Sequence, residues 1–293
     1  MELLSELSAI ILPIFFCAGI GVFWSRTGQP FDSDLVSILV YKISVPCLII
    51  AIFAKVRLTP DAVAAVAGAA LVIYLSTAAV AALILRLAKL PMPSYLPSLM
   101  FPMVGSMGLP ICLFAFGEDG LALALVFFTL GAIGTFTIGA AIAAGRVSYR
   151  KLVSEPAIWA ALIATGLLWF DATPPKWVID TTGILGGMAI PLQLIALGCS
   201  LGQFRVTSLP RGISLSLLRL ALGYGAGFGI AELFDLEGLV RAVVILQSAM
   251  PVAISNYLFA VVYKREPVEV AGLVLISTGI AFVTLPLLLI YLL

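Results

Sequence analysis

The 293-residue chain has no histidine. That absence excludes zinc ligation of the HExxH kind, a Ser-His nucleophile pair and a histidine proton relay. Charge is scarce as well: 11% of residues are Asp, Glu, Lys or Arg against 62% hydrophobic, too little polar surface to coat a water-soluble globule. Asp and Glu keep to the ends of the apolar stretches, which leaves no pair for an intramembrane aspartyl protease. The four cysteines, Cys17, Cys47, Cys112 and Cys199, sit in apolar sequence at unrelated spacings and read as small core residues, not as disulfides or metal ligands. No Walker or GxGxxG element stands in a loop. The chain is therefore expected not to be an enzyme, with no cofactor, no metal and no nucleic-acid partner.

What is abundant is hydrophobic sequence of membrane-spanning length. Mean hydropathy is +1.19. A span takes about 20 apolar residues, so the chain has room for roughly ten. The sequence places them near 7–24, 35–54, 62–88, 95–116, 121–144, 156–170, 177–201, 212–233, 239–262 and 268–293. The opening MELLSELSAIILPIFF carries Glu2 and Glu6 where a secretory signal would be positive, and reads as the first span. Basic residues gather in alternate loops: Arg26; Arg86 and Lys89; Arg146, Arg150 and Lys151; Arg205 and Arg211; Lys264 and Arg265. The opposite loops hold Lys55, Arg57 and Lys176, with Arg241 at a helix start, while Asp171 and several other acids fall on that side. The positive-inside bias makes the first set cytoplasmic and puts both termini outside, in a multi-pass cell (inner) membrane protein.

The two halves resemble each other. ISVPCLIIAI around Pro46 matches MAIPLQLIAL around Pro191, and near-constant offsets relate Trp24 to Trp169 and Pro13 to Pro156. An odd number of spans per half inverts the second copy, giving five-helix repeats at 1–145 and 146–293. Each half carries one broken hydrophobic segment: MFPMVGSMGLPICLF around Pro110 and VILQSAMPVAISNYLF around Pro251. Hydrocarbon tolerates such breaks only where the freed backbone lines an enclosed cavity. Matched breaks point to an alternating-access carrier whose crossed fourth and ninth helices aim helix N-termini at one midplane point, an anion site.

The candidate site residues follow from the breaks. Gly105, Ser106, Met107, Gly108 and Pro110 belong to the first; Gln247, Ser248, Met250, Pro251 and Asn256 belong to the second. Asn256, the sole asparagine, and Gln247 both donate and accept, which suits a carboxylate; the alternative for each is an interhelical hydrogen bond. Gln193, two residues past Pro191, is a weaker candidate of the same kind, and the glycines serve equally well for close helix crossing. Lys42 and Arg219 are cations inside spans, either attracting an anion, bonding backbone carbonyls or snorkelling to the headgroups.

The stretches LQSAMPVAISNYLFAVVYKREPVEVAGLVLISTGIAFVTLPLLL, IPLQLIALGCSLG and GLPICLFAFGEDGLALALVF resemble the auxin efflux carrier family, in a bacterial member. One departure is the run Met103, Val104, Gly105, Ser106, where relatives often have an asparagine before the first crossing proline. The resemblance implies an all-α fold of ten helices in two inverted repeats, shared with bile acid sodium symporters. It also implies a scaffold of spans 1, 2, 6 and 7, a transport domain of spans 3–5 and 8–10 moving as an elevator, and small organic anions, carboxylates among them, as substrate. The alternatives are a sodium-coupled symporter of the bile acid type and a non-transporting membrane sensor. A homodimer is compatible with an exposed scaffold face.

Overall fold

The computed structural model describes residues 2–56, 58–145, 156–170, 172–203 and 209–293. Arg57, Arg146, Arg150, Lys151, Asp171 and Arg205 of the charge pattern lie outside the described residues. Described residues are helical throughout apart from loops; the one β-type contact is an isolated antiparallel bridge, Pro102 to Val252. Among the described residues, seven helical runs are long and apolar enough to cross a membrane.

The first long helix, α1, is Glu2–Arg26. Next come α2, Ser33–Leu39, and α3, Val45–Lys55, joined without a break by a π-turn at Val40–Ser44. Helix α4, Pro60–Leu87, begins on Thr59, whose hydroxyl accepts from the Ala62 N–H, and places Pro60 where its missing N–H costs nothing. Helix α5, Met92–Met100, stops short at an extended Phe101. A π-turn, Val104–Gly108, then leads into α6, Leu109–Gly134, and after a further π-turn into α7, Ala140–Ala144.

The apolar run Val104–Ala144 holds 41 residues. At about 1.5 Å per residue it would be roughly 60 Å long, twice the hydrocarbon thickness. The run is not one straight helix: Gly117, with φ 69° and ψ −161°, a conformation closed to residues with a Cβ, divides α6 into two helical segments.

The second half has α8, Pro156–Trp169; α9, Lys176–Gly187; and α10, Ala189–Gln203. Helix α11, Leu209–Leu233, precedes a second interrupted pair, α12, Gly238–Ser248, and α13, Ile254–Val262. The described chain closes with α14, Pro267–Leu292. Large apolar side chains such as Phe23, Leu87, Trp169, Phe170 and Ile184 are exposed on its outside, as helices in hydrocarbon require.

Packing sorts these helices into two groups. In one, α1 lies along α10 and α3 lies against α8 and α9. Small residues bring the backbones into contact there: a Cβ on Gly198 would fall 1.9 Å from the Ala18 carbonyl oxygen, and the Cys199 thiol bonds the Gly21 carbonyl at 3.2 Å. In the other, α4, α6, α11, α12 and α14 surround a core that includes Tyr95, Leu99, Leu109 and Phe127. Contacts between the groups are sparser, running mainly from α1, α3 and α10 to α6 and the π-turn that precedes it.

Ion pairs sit at the ends. Arg211 binds Glu269 at 2.9 Å, and Tyr95 hydrogen-bonds both Glu266 and Glu269. Lys55 faces Glu118 at 3.7 Å, and Arg241 binds Glu232 at 2.5 Å. The pairs join loops that the charge pattern had assigned to the same side, two sets that do not mix.

Candidate functional site

The two interruptions meet. Pro102 has no N–H to continue α5, and Pro251 has none to continue α12, so both chains leave their helices extended. The Met103 N–H donates to the Pro251 carbonyl at 2.7 Å, which makes the Pro102 to Val252 bridge. The Val252 N–H, freed by the same break, is taken by the Ser277 hydroxyl of α14 at 3.1 Å. The first crossing is thus centred on Pro102 and not on Pro110. Pro110 lies further on, where the π-turn has already carried the chain into α6: Gly108 and Leu109 are helical and their N–H groups bond Met103 and Val104, so the chain is not interrupted there.

Past the bridge each chain re-enters a helix, and the two starts line a chamber of about 40 Å³. Val104, Gly105 and Ser106 come from the π-turn; Ala253, Ile254 and Ser255 come from the start of α13. The first N–H groups of a helix lack intrahelical acceptors, so both starts present donors and a partial positive charge. Thr135 adds a hydroxyl, and the rings of Tyr41, Phe128 and Phe136 supply an apolar wall. Tyr41 stacks on Phe128 at 6.4 Å and meets Phe136 edge-on at 5.6 Å.

The chamber adjoins a cavity of about 510 Å³. Tyr41, Ser106, Phe136, Ile254 and Ser255 border both. Its far wall is α2, the π-turn that follows it and α10, with Ser33, Ser37, Lys42, Ser200 and Gln203. It therefore runs from the crossing toward the end of the molecule that carries Arg26 and the start of α2. Among the described residues no group of three His, Cys, Asp or Glu comes together to hold a metal.

The candidate residues separate on this geometry. Gly105, Ser106 and Lys42 line the cavities. Met107, Gly108, Pro110, Gln247, Ser248, Met250, Pro251 and Asn256 line neither; they are buried behind the crossing. The Asn256 amide nitrogen donates to the Phe101 carbonyl at 3.3 Å and so clips the start of α13 to the end of α5. The Gln247 amide nitrogen reaches the Cys112 sulfur at 3.6 Å, and Gly108 makes room for it, since a Cβ there would fall 2.2 Å from the Gln247 carbonyl oxygen. Arg219 is 1% exposed and bonds three backbone carbonyls, which excludes snorkelling.

Gln193 gains in importance. It lines the cavity, lies close to Gly105 of the π-turn, and has neither amide atom hydrogen-bonded. Tyr41, Thr135 and Phe136 were missed by sequence reasoning: an aromatic or threonine in an apolar span carries no mark of its own, although Tyr41 neighbours Lys42.

Replacing Asn256 by alanine leaves the Phe101 carbonyl without its side-chain donor. The expected loss is about 1–3 kcal/mol of stability. A thermal unfolding series on Asn256→Ala and Gln247→Ala checks it, and the smaller change belongs to Gln247, whose sulfur acceptor is weak.

Residues 142–289, half of the chain, match the family model described as "Membrane transport protein". The chain belongs to this family. Its relatives agree. It is 25% identical over 195 residues to an uncharacterized transporter of Methanocaldococcus jannaschii, a region covering 62% of this chain and 63% of that one. It is 29% identical over 191 residues to an uncharacterized transporter of Methanothermobacter thermautotrophicus, covering 62% of each. The chain thus spans less than two thirds of the length of these curated relatives. Auxin efflux carrier component 7 of Arabidopsis thaliana is 26% identical over 156 residues, 49% of this chain and 24% of that protein. A multi-pass membrane transporter family and an all-helical chain with several apolar helices are consistent with one another.

Proposed function

We propose that this protein is a secondary active transporter of small organic anions, carboxylates in particular, that alternates access around the crossing of its two interrupted helices. The carrying observation is the chamber between the two helix starts. Its 40 Å³ has room for about three water-sized groups, the scale of one carboxylate. Helix starts favour an anion there, and among the residues whose side chains are described no carboxylate lines either cavity. The aromatic wall suits the hydrocarbon part of the same substrate. The larger cavity is its route, and by the positive-inside bias it opens to the cytoplasm with both termini outside, in the cell inner membrane.

In this reading the spans are ten, five in each of two inverted halves, 1–145 and 146–293. The two packing groups support a division of labour. The group of α1, α2, α3, α8, α9 and α10 is the scaffold, and α4 to α7 with α11 to α14 carry the crossing as an elevator. Lys42 and Gln193 then belong to the fixed wall, while Ser106 and Ser255 belong to the moving one. A second copy of the chain would meet the exposed scaffold face.

The test is a thermal-shift screen of the purified protein against small mono- and dicarboxylates, with choline as the cationic control. A ligand that binds only the folded state at a hundred times its Kd stabilises by about 2.7 kcal/mol. Stabilisation by at least one carboxylate and not by choline is the expected result. A shift from cations alone, or from no carboxylate at all, overturns the anion site.

A further inference from the structure

The crossing has a second polar side. The outer half-helices α5 and α12 end there, and the last carbonyls of a helix have no internal donors. Those carbonyls converge on one side chain from the middle of α11. Arg219 Nη1 donates to the Leu99 carbonyl at 3.0 Å, and Nη2 donates to the carbonyls of Ser248 at 2.8 Å and Met250 at 3.3 Å. Arg219 is the largest of the fully buried side chains, and the ion pairs among the described residues give it no carboxylate. Gly223, one turn along α11, permits the approach: a Cβ there would sit 2.2 Å from the Ser248 carbonyl oxygen.

Charge explains why a cation belongs at this point. Each helix C-terminus carries roughly half a negative charge, so two of them present about one. A guanidinium matches that, and its fork of donors reaches carbonyls on both helices at once. We propose that Arg219 stands in a monovalent cation site formed by the ends of both outer half-helices, as a cation tethered to the chain. Truncating the side chain leaves a site for a free guanidinium ion or, less well matched to its donor-fork geometry, an alkali cation. If the chamber binds an anion as proposed above, the crossing is then electrically paired on both sides, internally by Arg219 and externally by the substrate.

The test needs no transported substrate. Purified Arg219→Gly is melted in low-millimolar guanidinium chloride and in sodium, potassium and choline chloride at equal ionic strength, beside the wild type. The expected result is a lowered Tm in the variant that guanidinium raises by a few degrees, with no rise in the wild type. The same guanidinium response in both proteins overturns the site. In parallel, Arg219→Lys and Arg219→Met compare a cation with a neutral side chain of similar length. A cation site makes the lysine variant the more stable; a methionine variant equal to or above it, in folded yield or in Tm, overturns the assignment. A failed carboxylate screen would sink the carrier reading and leave these outcomes standing.

Discussion

A carboxylate placed at Ser106 is expected to silence anion uptake while leaving the protein folded. Ser106 is half-buried, belongs to the π-turn at the start of α6, and borders both the chamber and the wider cavity. In Ser106→Asp the helix starts acquire an internal anion. A substrate carboxylate about 4 Å away would meet repulsion of roughly 4 kcal/mol at an effective dielectric near 20, so uptake into proteoliposomes should fall by about 100-fold or more. The fold should not suffer, because an acid at a helix start contributes about 0.3–1 kcal/mol. Measuring uptake and Tm on one preparation separates the two effects. Unchanged uptake would move the anion away from the crossing.

The largest effect on stability is expected from Gly198→Ala. The added Cβ would lie 1.9 Å from the Ala18 carbonyl oxygen and 3.0 Å from the Gly21 Cα, and the reciprocal position, Gly21, has the Ile195 carbonyl oxygen at 2.1 Å. These neighbours are backbone, so no rotamer change relieves the clash. The axes of α1 and α10 must part along their whole seam, at a cost of about 3 kcal/mol, the upper end of overpacking penalties. Gly19→Ala is the control on the facing helix, α1: nothing lies within 4 Å of its Cβ, and alanine there should be neutral or stabilise by up to about 1 kcal/mol. Equal melting temperatures for the two variants would show that the seam is not a tight contact.

The membrane-spanning character and the two interruptions were legible in the sequence because both are written in side chains: long apolar runs, and prolines that cannot donate. Which proline breaks a helix was not. Pro110 and Pro102 have the same chemistry, yet the chain turns extended at Pro102, where it pairs with the second interruption, and stays helical through Pro110 after the π-turn; that pairing is tertiary. Carbonyl bonding was one of three roles the sequence left open for Arg219, and it could not choose among them for a related reason. Its partners are carbonyls of Leu99, Ser248 and Met250, and a backbone carbonyl has no letter in a sequence. Among the polar residues, Asn256 and Gln247 stood out by rarity and amide chemistry, yet burial turns them toward Phe101 and Cys112. Ser106 and Gly105, named with them, do face the cavities, since the π-turn rotates those two positions inward.

The bridge between Pro102 and Val252 also bears on how the chain is made. Its partners are separated by about half the polypeptide. At about 5–20 residues per second, roughly 8–30 s pass between synthesis of the first and arrival of the second. During that interval the Met103 N–H has no Pro251 carbonyl to meet, and α5 and α6 are joined by bare backbone that hydrocarbon does not tolerate. The first half of this protein therefore lacks, on its own, the acceptor that its broken segment uses in the finished fold. Until the second half arrives to close it, that N–H is expected to be met by water or by other protein.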